Sequence, residues 1–481
     1  MRLRLGMRAL AVPSTALLVS LALTGTARAN GRMAAGHQVV VSPVDPNFFV
    51  METTFGLLVS HDAWATLGWV CESPIGYGDG GVQDPSVGLT QKAILAGLRQ
   101  GLALSSDQGC SWSFALRDPV VDVVVRRDDP HSALALTTKY VGSGDAGENL
   151  FTTRVLMTHD DGVTWTQVGS PLDPAVQVET IDVAPTDPNR IYVGGSGQRI
   201  AADGGAVRFG VVLASTDGGA SYSQSAIALD SANFEDLDSA YVSAVDPTTA
   251  NRVYVRIGGA GAADRLLVSD DGATTFRTVF QGAGSLLGFA LSTDGSTVFV
   301  GGPADGVASA PAWPADSGGA LAFKRMSKLG VSCLAWTGGK LYACMGEPRN
   351  SYRQELGVST DDGATFAPEF LFACIPGPLV CPGSPIEHEC SAGLGLLRAS
   401  VGICDSDAAA APCDGGCASD GASGPSTDAS LDGGGPVADA GGGPALHPKS
   451  GCGCRASEAA GASGFSAVAL LALLVARRRR S

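Results

Sequence analysis

Basic side chains are sparse in this chain: lysine and arginine number 32 against 47 acidic residues, for a net charge of −15. Nucleic-acid binding needs a basic stripe to neutralise phosphates, so that class of partner is excluded. Charged residues make up only 16% of the chain and aromatic ones 6%, whereas glycine occurs 65 times. Helix-rich enzymes favour Ala, Glu, Lys and Leu without so many glycines; this composition suits a turn-rich, all-β exported chain. No HExxH, GxGxxG, P-loop or GxSxG sequence occurs, which removes the commonest zinc, nucleotide and serine-nucleophile chemistries. His37, His61, His131 and His159 stand far apart with no ligand spacing, so no metal and no cofactor are expected.

The two ends address the chain. Arg2, Arg4 and Arg8 precede an apolar run from Ala9 to Leu23, followed by Ala27-Arg28-Ala29. A basic segment, an apolar segment and a small-x-small site make a secretory signal peptide over 1–29, cleaved after Ala29. At the other end, Asp405 to Pro448 holds almost no large apolar side chain and cannot bury enough surface to fold, so 404–449 reads as an acidic linker. Beyond it lie Cys452 and Cys454, an uncharged stretch at 459–476 long enough to cross a bilayer, and Arg477 to Arg480.

Cysteine usage agrees with export. Of the twelve, Cys71, Cys110, Cys333 and Cys344 lie in strand-rich sequence, and Cys374, Cys381, Cys390, Cys404, Cys413 and Cys417 follow it. In an oxidising compartment both groups read as disulfides. Cys333 and Cys344 flank a probable hairpin and are expected to pair; Cys71 with Cys110 is the second expected pair. Zinc is a poor fit, because His388 is the only histidine near the cluster and no paired CxxC spacing occurs.

An internal repeat sets the fold. Octets beginning at Ser105, Thr158, Ser215, Ser269 and Ser359 align without gaps as hydroxyl-x-Asp-x-small-x-hydroxyl-aromatic, with Asp107, Asp160, Asp217, Asp271 and Asp361 at the third position. Glycine supplies positive φ in a tight turn, aspartate bonds its own turn backbone, and the aromatic packs between sheets. The aspartates are 53, 57, 54 and 90 residues apart. The long gap implies one more unit with a decayed turn near Ala310 to Gly319. Leu58 to Trp64 begins another but lacks the glycine, making seven. Between turns, alternating strands run into Asp-Pro corners at Asp45-Pro46, Asp187-Pro188 and Asp246-Pro247.

This octet resembles the Asp-box of the BNR-repeat, sialidase-like superfamily, which implies an all-β, seven-bladed β-propeller over 30–403 with a Cys-rich closing segment. The Gly-Cys pair, apolar stretch and arginine cluster at 450–481 resemble the MYXO-CTERM sorting signal of myxobacterial surface proteins. That resemblance implies a transmembrane helix at 459–476, a sorting protease at the membrane as a partner, processing at Cys452 or Cys454, and display at the cell surface.

Asp-box propellers include glycosidases, and glycoside hydrolysis uses two carboxylates about 5–10 Å apart. A sialidase also needs an arginine triad that begins with Arg-Ile-Pro, yet no arginine stands between Arg32 and Arg99. If the chain is an enzyme, its candidates on inner strands are Glu179, Asp182 and Asp238, with Asp122, Asp236 and Tyr241 nearby. The expected function is instead non-catalytic: a monomeric propeller holding a protein or glycan through one face, as seven-bladed photosystem assembly factors do. The alternative is a hydrolase of a neutral polysaccharide, resembling xyloglucanases.

Overall fold

In a computed structural model, the described residues are 34–401, apart from 78–83, 145–146, 201–205, 228–238, 259–262, 313–320 and 346–354. The signal segment, the linker, the C-terminal tail with Cys452 and Cys454, and most of the decayed turn at 310–319 therefore lie outside them. No described helix is long and apolar enough to cross a membrane.

Seven four-stranded antiparallel sheets follow one another along the chain, each built from four consecutive strands in chain order. They cover 36–70, 86–116, 120–168, 176–226, 239–281, 288–327 and 331–370 and are numbered here as blades 1–7. The first strand of each blade packs against the first strand of the next, and that of blade 7 (Val331–Thr337) packs against that of blade 1 (Gly36–Val41), closing a ring. The protein is a seven-bladed β-propeller. Its core lies between blades: Leu134, Val155, Val178, Ile191 and Val211, for example, bring blades 3 and 4 together. Each such fully buried aliphatic side chain contributes about 1.5–3 kcal/mol.

The octets form the turn between the third and fourth strands. The first hydroxyl donates to aspartate Oδ1 at 2.7–3.0 Å and accepts the amide of the fifth residue at 2.8–3.0 Å, while the seventh hydroxyl donates to Oδ2 at 2.6–2.7 Å. The fourth and fifth residues both take positive φ, and every non-glycine with positive φ among the described residues (Ala63, Trp64, Gln108, Asp161, Ala273 and Asp362) sits at one of these two places. Glycine at the fifth place also permits close approach: a Cβ on Gly162 would stand 2.5 Å from Leu95 Cδ2 of the previous blade. Blade 1 makes the same turn. Ser60, Asp62 and Thr66 keep the full hydrogen-bond set, with Trp64 at φ 74 where glycine would stand.

No strand is exchanged between the first and last blades, so the ring needs another closure. The chain after blade 7 returns across blade 1. Trp69 donates its amide to the Gly377 carbonyl at 3.0 Å, and Leu379 donates to the Trp69 carbonyl at 2.8 Å, adding a short parallel bridge at the outer edge. A helix, Pro385–Ser400, follows; Ser384 caps it by accepting the Ile386 amide, and proline occupies its first turn, where no amide is needed. The expected Cys71–Cys110 pair does not form. Cys71 bonds to Cys390 on this helix and Cys110 to Cys381, so each staples the returning segment to a different blade. These cysteines lie on the edges of blades 1 and 2, and the returning chain passes over both. Cys333–Cys344 joins adjacent strands of blade 7 as expected, and Cys374 is also disulfide-bonded. This disulfide density points to an extracellular protein.

Candidate functional site

One face of the ring carries the octets; the other carries the second-to-third-strand turns and the crossovers between blades. This upper face is uneven. In blades 1, 2, 5, 6 and 7 the second and third strands run four to six residues. In blade 3 they are Ala133–Ser143 and Asn149–Thr158, and in blade 4 Asp187–Ile200 and Ala206–Ser215. At about 3.4 Å per residue, the extra pairs carry these strands on the order of 15 Å beyond the second and third strands of the other blades. The two hairpins are neighbours: the Asn149 amide donates to Gln198 Oε1 at 3.4 Å. Tyr140 and Val141 stand 55% and 56% exposed on the blade 3 hairpin, with Phe151 packed edge-on to Tyr140. Beside them Asp118, Thr138, Lys139, Thr152 and Arg154 line an open groove.

At the foot of the blade 4 hairpin lies a cluster of polar side chains. Glu179 is the extra residue of a bulge in the inner strand, because pairing shifts between Val178 and Thr180; a bulge re-aims the side chain it carries. Gln177 donates to Glu179 Oε1 at 3.1 Å, and Arg208 donates to Gln177 Oε1 and Ser196 Oγ, both at 3.0 Å. Ser239 in blade 5 lies within hydrogen-bonding reach of both Glu179 and Tyr241. The Arg256 guanidinium stands 4.2 Å over the Tyr241 ring and pairs with Asp264 at 3.1 Å. Burial raises the Glu179 carboxyl against the opposing pull of Arg208, and burial, reinforced by the Glu179 charge, raises the Tyr241 phenol. The cluster thus offers two carboxylates, Glu179 and the Arg256-paired Asp264, with two guanidinium groups, one phenol and an amide: a surface suited to recognising a polar ligand.

Two of the acids considered from sequence do other work. Asp122 accepts from Ser86 Oγ at 2.7 Å in blade 2 and from the Ile181 amide at 2.8 Å in blade 4. Asp182 accepts from the amides of Val183 at 2.8 Å and Val245 at 2.9 Å, joining blade 4 to blade 5. Gln38 makes a matching tie to both backbone groups of Val87. The inner ring is thus laced from blade 1 to blade 5 by side chains on backbone. Burial pushes the Asp182 carboxyl up to about 6 and raises Asp122 as well. Asp236 and Asp238 lie outside the described residues. Asp107, Asp160, Asp217, Asp271 and Asp361 all sit in turns on the opposite face. Sequence reasoning missed Arg208 and Arg256, which lie on a third and a second strand, and Asp264, just before a third strand, where no repeat marks them; a Glu179 bulge has no single-sequence signature.

No known family profile and no curated protein matches the chain. Solved structures do. An ancestral GH74 enzyme superposes with a TM-score of 0.50 at 12% identity over 71% of this chain, which spans 47% of that one. The hydrazine synthase of Kuenenia stuttgartiensis gives 0.47 at 10% identity, covering 70% of this chain and 98% of that one. YCF48 bound to a D1 peptide gives 0.30 at 14%, covering 51% and 64%. At these identities the likeness concerns the fold alone.

Proposed function

We propose that the chain is an exported Asp-box propeller, displayed at the cell surface, that binds a glycan or protein partner through its upper face without transforming it. The reading is carried by what the inner-strand carboxylates do. Asp122 and Asp182 spend their oxygens on neighbouring blades, which leaves Glu179 as the inner-strand acid that faces the polar cluster among the described residues. Glycoside hydrolysis needs a second carboxylate about 5–10 Å away across the bond. The other acid of the cluster, Asp264, is held by Arg256 and by the Leu286 amide at 2.9 Å. Long hairpins beside a cluster rich in hydrogen-bonding groups instead form a one-sided wall against which an extended ligand can lie.

The cell-surface part of the reading is supported by the disulfides and by the signal-like and sorting-like ends of the chain. The second reading, a hydrolase of a neutral polysaccharide, draws on the burial-raised Glu179 as an acid. Screening the purified full chain against neutral and acidic polysaccharides separates them. Binding without release of reducing ends, weakened about tenfold or more by Arg208→Ala together with Arg256→Ala, is the expected result. Release of reducing ends that disappears in Glu179→Gln or Asp238→Asn would overturn it.

A further inference from the structure

On the upper face, away from the cluster of blades 4 and 5, three potential ligand side chains meet where blade 1 joins blade 2. His37 is the extra residue of a bulge at the start of the inner strand of blade 1, since pairing shifts between Gly36 and Gln38. The bulge turns its ring away from the regular alternation of the strand, toward Glu52 on the second strand and Asp84 at the entry to blade 2. His37 Nδ1 lies 3.0 Å from Asp84 Oδ2 and 3.9 Å from Glu52 Oε2, and one donor atom from each residue falls within 4.8 Å of the others. Glu52 is 2% exposed, Asp84 21% and His37 38%, so the group has a buried floor and an open side.

We propose that His37, Glu52 and Asp84 bind one divalent transition-metal cation, zinc foremost. Zinc bonds of about 2.0–2.2 Å to nitrogen and oxygen, set tetrahedrally, require ligand atoms about 3.3–3.6 Å apart. The two separations from His37 straddle that value, and with all three ligand atoms within 4.8 Å of one another, rotation of side chains already in place closes the group around an ion. The donor set chooses the metal: two carboxylates alone would suit calcium or magnesium, whereas an imidazole nitrogen favours zinc and its neighbours. Three protein ligands with an exposed side leave a position for water or for a ligand oxygen, as open zinc sites do. Glu52 and Asp84 also contact other groups, so coordination exchanges one set of polar contacts for another. Holding Glu52 and Asp84 together across the seam, the ion also ties blade 1 to blade 2 at the upper face, beside the bonds of Gln38 to Val87. The site is independent of which partner the blade 4 and 5 cluster takes.

The test titrates zinc chloride, and separately calcium chloride, into the purified full chain after alkylation of free thiols, which removes the tail cysteines as competing ligands. Expected is one equivalent of zinc, bound at least 30-fold more weakly by His37→Ala with Asp84→Asn, and calcium bound far more weakly than zinc. His37 and Asp84 are solvent-exposed enough that the double variant keeps the fold, which its unfolding temperature checks. Cobalt loading of the unmutated chain gives a second readout that needs no variant: visible bands without a thiolate charge-transfer feature. Equal zinc uptake by both proteins, calcium binding as tight as zinc, or absent cobalt bands would each overturn the proposal.

Discussion

Trp64 of blade 1 packs 5.3 Å, ring centre to ring centre, from Phe370 of blade 7, at the turn position that glycine holds in four of the five other described turns. Around this contact lie further aromatic pairs of the seam. Phe49 touches both Trp64 and Tyr342, and Phe372 packs edge-on to Phe55. The first and last blades share no strand among the described residues, so this side-chain packing and the segment that returns after blade 7 hold the seam.

Trp64→Gly separates backbone comfort from seam packing. A tryptophan at φ 74 costs on the order of 1–3 kcal/mol, which glycine recovers. Emptying the site of a buried tryptophan costs about 3–5 kcal/mol. The variant is therefore expected to lose about 2 kcal/mol in denaturant unfolding, in spite of matching the other turns better. A variant as stable as the parent would mean that the seam is held elsewhere.

The long-range disulfides should matter more than the local one. Cys71–Cys390 closes 319 residues and Cys110–Cys381 closes 271, against 11 for Cys333–Cys344. Chain-entropy reasoning assigns about 3 kcal/mol to the short loop and about 6 kcal/mol to each long one taken singly. Replacing Cys71 and Cys390 by serine should lower the unfolding temperature more than replacing Cys333 and Cys344, and should open the segment after blade 7 to protease first. The reverse order would show that the returning segment is held by packing of Ile386 and Leu397 rather than by its staples.

Acid should loosen the octets in a defined window. Hydrogen bonds from Thr164, Ser221 and Thr365 hold Asp160, Asp217 and Asp361 down to about 2, from an ordinary 3.8. A carboxylate depressed on folding contributes stability that is complete above its unfolded value and vanishes as pH falls through the folded one. The unfolding temperature should thus fall between pH 4 and pH 2, and Asp217→Asn should show a shallower fall and a loss of at most a few degrees at pH 7. An unchanged slope in the variant would remove the turn carboxylates from the acid response.

The seven-blade plan is written in the sequence because six turns use the same three polar residues for the same geometric reason, and the spacing between them is one blade, or two across the decayed turn. The turn of blade 1 was legible only in part: Trp64 hides the glycine position, although Ser60, Asp62 and Thr66 preserve the bonds. The staples were not legible. Cys71 finds Cys390 because the chain after blade 7 doubles back over blade 1, and nothing in the spacing of cysteines encodes that path. Nor could Glu179 be told from Asp182. Both lie on one inner strand, yet the bulge at Glu179 points it toward Gln177 and the upper cluster, while Asp182 faces the Val245 amide.

Asp182 gives the opposite pH response to the turn carboxylates. Burial pushes it up to about 6 from 3.8, so its protonated form favours the fold. That contribution is complete below about pH 4 and is lost as pH rises through 6, when a charge must be carried between blades 4 and 5. An amide at this position cannot titrate, and it keeps one acceptor for the amides of Val183 and Val245 while losing the other. Asp182→Asn should therefore be less stable than the parent at pH 4, by about 1–3 kcal/mol for the unpaired amide. The gap should narrow by on the order of 2 kcal/mol by pH 7.5, as the parent alone pays for ionisation. Denaturant unfolding of both proteins across this range reads the difference directly. A gap that stays constant, or widens toward neutral pH, would place the Asp182 charge in a solvated setting and return it to the set of candidate acids on the inner strands.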